Sequence, residues 1–277
     1  MTTDRKNING ICYILDEENK TASVCSLDDD EHYEGYIQIP SSITYKERYR
    51  VCSIFYGAFN GCRDLKYISI PDSVEWIGRE AFKDCTGLTS ISIPDSVTGI
   101  GSSAFEGCTG LTSISIPDGV DWIEWRTFRY CTGLTSITLP DSIICISDDA
   151  FYGCTMLTAI TIPNSVISIG EMAFKDCTML TAITIPNSVN SIGFMAFCGC
   201  TGLTSISIPD SVTKIGYEAF FACTRLTSIS ISDSVTEIEG LAFGRCENLQ
   251  TIYIPHGMTD TFCQMGLEDW RDKMVEV

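Results

Sequence analysis

Nine cysteines, Cys62, Cys85, Cys108, Cys131, Cys154, Cys177, Cys200, Cys223 and Cys246, fall 23 residues apart. Thiols at so regular a spacing could in principle bridge or collect a soft metal. In stacked rungs ~4.8 Å apart, however, their side-chain vectors run parallel, whereas a relaxed disulfide needs a near-perpendicular torsion. No C-x-x-C pair occurs, and Cys198-Gly199-Cys200 is too isolated to supply four zinc ligands. The column therefore reads as buried free thiols acting as small hydrophobes. Of Cys12, Cys25, Cys52, Cys145, Cys198 and Cys263, only Cys12 and Cys25 are placed to bridge, across an expected hairpin. The two histidines, His32 and His256, stand near opposite ends of the chain, and no G-x-S-x-G, P-loop, H-E-x-x-H or dinucleotide-binding glycine pattern is present. With no nucleophile and base to pair, the expectation is a non-enzyme with no catalytic residue, no cofactor and no metal.

Two further rows repeat. Asp72, Asp95, Asp118, Asp141, Asn164, Asn187, Asp210 and Asp233 follow a proline or its equivalent. Oxygen donors in a column could hold Ca²⁺, but the glycine context of calcium-binding β-rolls is missing and two asparagines interrupt the charge. Asx turn formation accounts for the row. The second row is a hydroxyl ladder, Ser90/Ser92, Ser113/Ser115, Ser136/Thr138 and Ser205/Ser207, with Ala159/Thr161 and Ala182/Thr184 between. Its mixture of Ser, Ala and Thr argues against a matched lattice such as an ice-binding face and for a broad protein or glycan surface.

What must position these rows is a repeat. Leu65, Leu88, Leu111, Leu134, Leu157, Leu180, Leu203, Leu226 and Leu249 keep the 23-residue period without a slip, the signature of a solenoid whose units are stable only when stacked. In residues 88–110 the alternation Ser90-Ile91-Ser92-Ile93 predicts a half-buried strand. Pro94-Asp95 predicts a turn, and Val97 to Gly101 a second short strand. Ala104, Phe105 and Cys108, at three- and four-residue spacing, predict one inward-facing helical turn.

The ends depart from the period. Ile11–Leu15 and Thr21–Leu27 suggest a hairpin over the first rung, and eight extra residues around Thr44–Arg50 suggest a projecting loop or hairpin. After Met258, Leu267, Trp270 and Met274 at helical spacing suggest an apolar stripe over the last rung. The expected layout is one cooperative domain: an N-terminal hairpin cap at 1–36, a solenoid at 37–257 with an irregular first rung at 37–64, and a helical cap at 258–277.

One rung differs most from its neighbours. In 111–133 the usual Gly is Glu124, the usual Ala is Thr127, and Asp-Ser becomes Asp118-Gly119. Trp76 and Trp122 share one repeat position with Gly99 between them, so two indoles should flank a bare backbone ~10 Å apart. Arg126 and Arg129 add positive charge. Trp76, Trp122, Trp125, Arg126, Arg129 and Tyr130 are the residue types enriched in binding hot spots and form the candidate partner site; filling the gap over Gly99 or shielding a sheet edge is the plainer reading of the indoles. With Lys+Arg 18 against Asp+Glu 36, the net charge of -18 disfavours nucleic acid and anionic membranes. No apolar run reaches the ~20 residues of a membrane-spanning helix, and Met1 to Asn9 lacks a signal-peptide core.

The rung I-P-x-S-V-x-x-I-G-x-x-A-F-x-x-C-x-x-L, with I-P-S-S-I at Ile39–Ile43 and I-Y-I-P-H-G at Ile252–Gly257, resembles the BspA-like leucine-rich repeat family of bacterial and some protozoan surfaces. That resemblance implies an α/β right-handed leucine-rich-repeat solenoid with parallel sheets and short helical turns, nine units plus caps. It also implies protein binding or adhesion at a cell surface, with a leader already removed; the thiol-rich rungs would suit a reducing cytoplasm equally. The expected partner is a protein or glycan, or alternatively a second copy of the chain meeting through the Trp76/Trp122 face.

Overall fold

The computed structural model describes residues 5–27 and 31–277. The first four residues of the expected N-terminal cap, and Asp28 to Asp30 within it, lie outside the described residues. The chain forms a parallel β-solenoid of about ten turns with little helix. Each turn carries two short strands on different faces. One face pairs Ser113–Ser115 with Ser136–Thr138, Ala159–Thr161 with Ala182–Thr184, and Ser205–Ser207 with Ser228–Ser230. The other stacks Trp122–Ile123, Cys145–Ile146, Ser168–Ile169, Ser191–Ile192, Lys214–Ile215 and Glu237–Ile238 in parallel register. Only one residue in two can point inward on a strand, and those are the isoleucines, exposed by 8% or less, as Ile114, Ile137 and Ile160 show.

The third part of the rung is not helical, which corrects the expected helical turn. Ala104, Phe105 and Cys108 do face inward and are fully buried. The backbone reaches that arrangement through successive turns, with Ala104 N–H bonded to Gly101 O (3.1 Å) and Cys108 N–H to Phe105 O (3.1 Å). Left-handed residues, Ser103 (φ 56°) and Gly107 (φ 73°), sit at the third position of each turn and prevent i→i+4 bonds from propagating. The alternate N–H groups cross to the next rung, from Ser103 to Trp125 O (2.8 Å), Phe105 to Thr127 O (2.9 Å) and Gly107 to Arg129 O (2.8 Å). A helix would turn these donors back on itself and forfeit that third ladder. A left-handed L-residue costs roughly 1–2 kcal/mol, and the cross-rung bonds offset it, so Glu80, Arg126, Tyr130, Met172 and Leu241 also adopt positive φ.

The core is a continuous stack. Phe59, Phe82, Phe105, Phe128, Phe151, Phe174, Phe197, Phe220 and Phe243 lie ring on ring, with centroids 5.2 to 5.6 Å apart. Tyr33 covers one end of the column at 4.7 Å. Beside it the repeat thiols from Cys85 to Cys246 donate to the phenylalanine carbonyl of the preceding rung, as Cys108 does to Phe82 (3.0 Å) and Cys131 to Phe105 (3.1 Å). Burial pushes the thiols of Cys108, Cys131, Cys154, Cys177 and Cys200 well above the usual range. They are neutral donors in a dry interior.

At the N-terminal end β1 (Arg5–Ile8), β2 (Ile11–Asp16) and β3 (Thr21–Cys25) are antiparallel, and β3 runs parallel to a strand of the first rung at Glu47–Ile54. Cys12 and Cys25 face each other across β2 and β3 with sulfurs 3.1 Å apart, as thiols. The inserted residues form a hairpin, Ser42–Tyr45 against Glu47–Ile54, turning at Lys46 (φ 60°). At the other end the chain is helical from Thr259 to Lys273, as α-helix over Thr259–Phe262, π-helix over Cys263–Leu267 with a kink at Gly266 (φ 103°), and 3-10 helix over Glu268–Lys273; it departs from a plain helical cap at Met274–Glu276, which adds a parallel strand to Thr251–Ile254. The apolar stripe still packs on the core, with Leu267 buried and Trp270 and Met274 half-buried, but Met274 does so from a strand that satisfies the last sheet edge.

Candidate functional site

The large apolar positions of rung 111–133 match those of rung 88–110, and the one difference within the buried frame of 111–133 is Thr127. Thr127, where neighbours carry Ala, is 1% exposed and donates its hydroxyl to Glu124 O (2.8 Å); it is structural. Gly119 takes the place of the serines that donate to a carbonyl 22 residues back, as Ser96 does to Val74 (2.7 Å) and Ser142 to Val120 (2.6 Å). Glu124, in the glycine column, accepts a bond from Ser102 Oγ (3.3 Å).

The six candidate residues separate into two groups. Trp76, Gly99 and Trp122 form one column on the short-strand face, with Trp76 in register with Gly99. The Trp76 ring lies over Gly99 so closely that a Cβ there would meet its six-membered ring at 1.9 Å, so the gap-filling reading holds for this indole. Both indoles nevertheless remain open to solvent, Trp76 at 49% and Trp122 at 43%. Between them is a cleft of about 370 Å³ lined also by Thr98, Asp121 and Glu124.

Trp125, Arg126, Arg129 and Tyr130 lie instead on the turn segment, where their charge is largely consumed. The Arg126 guanidinium stacks on Trp125 (3.8 Å to the ring centre) and pairs with Asp149 (3.2 Å). Arg129 lies over Tyr130 (4.7 Å) and Tyr152 (5.0 Å) and reaches Glu106 (3.9 Å), which also holds Lys83 (3.3 Å). The positive charge that Arg126 and Arg129 add is thus held against neighbouring rungs. A hydrogen bond that the Tyr152 phenol donates to Tyr130, with burial, pushes Tyr152 up to about 12. Arg129 Nε and Asp149 Oδ1 are buried without a hydrogen-bond partner.

Sequence reasoning missed Glu106, Asp149 and Tyr152, and left Asp121 and Glu124 out of the candidate site. The signal was present as an offset. Lys83, Glu106 and Arg129 are successive members of one 23-residue column, as are Arg126 and Asp149, or Lys214 and Glu237 (3.2 Å). In a solenoid i and i+23 are cross-strand neighbours, and opposite charges there act as they do across any sheet.

The hydroxyl ladder is where it was expected. Ser90, Ser92, Ser113, Ser115, Ser136, Thr138, Ser205 and Ser207 are exposed on the longer-strand face, and among the described residues none of their hydroxyls bonds within the chain. The flanking threonines are occupied, as Thr135 Oγ1 is by Thr112 O (3.0 Å). Where Ser232 replaces the repeat proline, the ladder borders a depression of about 400 Å³ lined by Ser207, Asp210, Ser230 and Val277.

Comparison with known families finds a BspA type leucine rich repeat region in six copies, matched over residues 52–181 and 145–264. Among solved structures the chain is similar to a T. pallidum leucine-rich repeat protein, at 22% identity and a TM-score of 0.52, covering 95% of this chain and 96% of that one. A leucine-rich repeat protein from Bacteroides ovatus matches at 26% identity and TM-score 0.47, covering 98% and 99%. A leucine rich cell surface protein from Faecalibacterium prausnitzii matches at 25% and 0.44, covering 95% and 97%. No curated protein matches.

Proposed function

Because the chain belongs to the BspA-type leucine-rich repeat family, we propose that it is a non-catalytic interaction scaffold whose Trp76–Trp122 cleft holds a protein partner in adhesion at a cell surface. The family supports the scaffold role, and the surface location follows the same resemblance. The observation that carries the site is the pair of half-exposed indoles on a column otherwise made of Gly99, Cys145, Ser168, Ser191, Lys214 and Glu237. Large aromatics left open to water at a concave point are the anchors on which interfaces concentrate their energy.

The test is an array of immobilised proteins and glycans probed with the labelled chain, alongside W76A/W122A and the ladder variant S113A/S136A. Binding to a protein that falls at least tenfold in the tryptophan variant and is unchanged in the ladder variant supports the reading. Binding lost only with the ladder hydroxyls moves the site to the other face and defeats it. Light scattering separates the remaining case: a wild-type dimer that becomes a monomer in W122A would replace an external partner with a second copy of the chain.

A further inference from the structure

The partner site, if it lies at the tryptophans, has a definite chemical character. Its walls are two indoles and its polar groups are the Thr98 hydroxyl and the carboxylates of Asp121 and Glu124. Among the described residues neither carboxylate has a cationic partner, because the adjacent Arg126 is held by Asp149 on the turn segment. Two uncompensated negative charges beside two electron-rich ring faces make a cleft for a cation, since the ring quadrupole and the carboxylates attract the same sign.

We propose that the Trp76–Trp122 cleft is a receptor for an arginine side chain presented by a basic protein partner; this rests on the site reading above. Three observations favour that occupant over a neutral sugar. A glycan would leave both carboxylates uncompensated, whereas a guanidinium neutralises one and can bond it in bidentate fashion. The rungs that carry the cleft are acidic: residues 65–133 hold nine carboxylates against Lys66, Arg79, Lys83, Arg126 and Arg129, and of these cations Arg79, Lys83, Arg126 and Arg129 lie against Glu80, Glu106, Asp149 and Glu106. The neighbouring Arg126 on Trp125, at 3.8 Å, shows the contact that a partner's arginine would make one strand away. The cleft volume, about 370 Å³, is at the small end of the roughly 300–1,000 Å³ of ligand pockets and suits one side chain.

The experiment follows the indole N–H signals of Trp76 and Trp122 by NMR, assigned with W76F and W122F, in the intact chain. The probes are acetyl-Gly-Arg-Gly-amide, its neutral citrulline counterpart, and cellohexaose. The arginine peptide is expected to shift both signals saturably, with affinity at least tenfold weaker for citrulline and for D121N/E124Q, and weaker again as salt is raised. Saturable shifts with cellohexaose and none with the arginine peptide would overturn the cation assignment while leaving the site in place. Equal affinity for wild type and D121N/E124Q would overturn it too, since the carboxylates would then not be the receptor. If no probe moves the indoles yet array binding still depends on Trp122, the arginine assignment alone fails; if array binding survives W76A/W122A, the underlying site reading fails.

Discussion

Rungs 88–110 and 111–133 share one interior and have two exteriors. Leu88 and Leu111, Val97 and Val120, Phe105 and Phe128, and Cys108 and Cys131 are all exposed by no more than 1%. Around that apolar set Ala104 becomes the buried Thr127, while Gly99, Gly101, Ser102, Ser103, Glu106 and Gly107 become the half-buried or exposed Trp122, Glu124, Trp125, Arg126, Arg129 and Tyr130. A solenoid allows this because each inward position is fixed by its stacked neighbours while each outward position meets mainly its counterparts 23 residues away. Recognition chemistry can therefore accumulate on one rung without disturbing the stack.

The comparison is tested most severely in the core. Phe105→Ala and Phe128→Ala should each cost about 3–5 kcal/mol in urea unfolding; costs differing by more than about 1 kcal/mol would show that the exterior of 111–133 reaches the interior after all. Gly99→Ala comes next. A Cβ at 1.9 Å from the Trp76 ring must displace it, so the Trp76 fluorescence should shift toward that of a water-exposed indole; an unchanged emission would mean that the ring does not depend on its glycine seat.

The clamp in 111–133 should be visible by titration. With its folded pKa raised to about 12 by Tyr130, against an unfolded value of about 10, Tyr152 contributes stability that is complete below pH 10 and is lost as pH rises through 12. In Y130F the ultraviolet titration of Tyr152 should fall back toward 10 and the alkaline loss of stability should shrink. The smallest effect is expected for the ion pair. Arg126 and Asp149 keep 31% and 13% of their side-chain surface exposed, so a double-mutant cycle should return about 0.2–1 kcal/mol of coupling. A larger value would make the clamp part of the stability frame that 88–110 lacks.

The period, the inward set Leu, Ile, Val, Phe and Cys, and the outward Ser and Thr were legible because burial imposes a side-chain identity on each repeat. The turn segment was not. Ala104, Phe105 and Cys108 have spacing that fits a helix, and only the left-handed backbone at Ser103, which carries no glycine to announce it, diverts the donors to the next rung. At the C-terminus the spacing gave the helical apolar face, but neither the kink at Gly266 nor the switch at Met274 to a strand that pairs with the free sheet edge at Thr251–Ile254. At the candidate site the residue types stood out from the pattern, yet their grouping did not, because Trp122 and Trp125 are three residues apart and lie on different faces.

By itself the sequence determined that this chain stacks, since no single 23-residue unit can bury its leucine and phenylalanine alone. It also determined which side chains remain outside. Tertiary structure decided what those outer residues do. Arg126 and Arg129 are held in place because their column neighbours are Asp149 and Glu106, and the Trp76 ring finds its seat because Gly99 follows it in the column. Contacts between rungs are set by three-dimensional register, and that register divides the exceptional residues between a paired clamp on the turn segment and a cleft on the short-strand face.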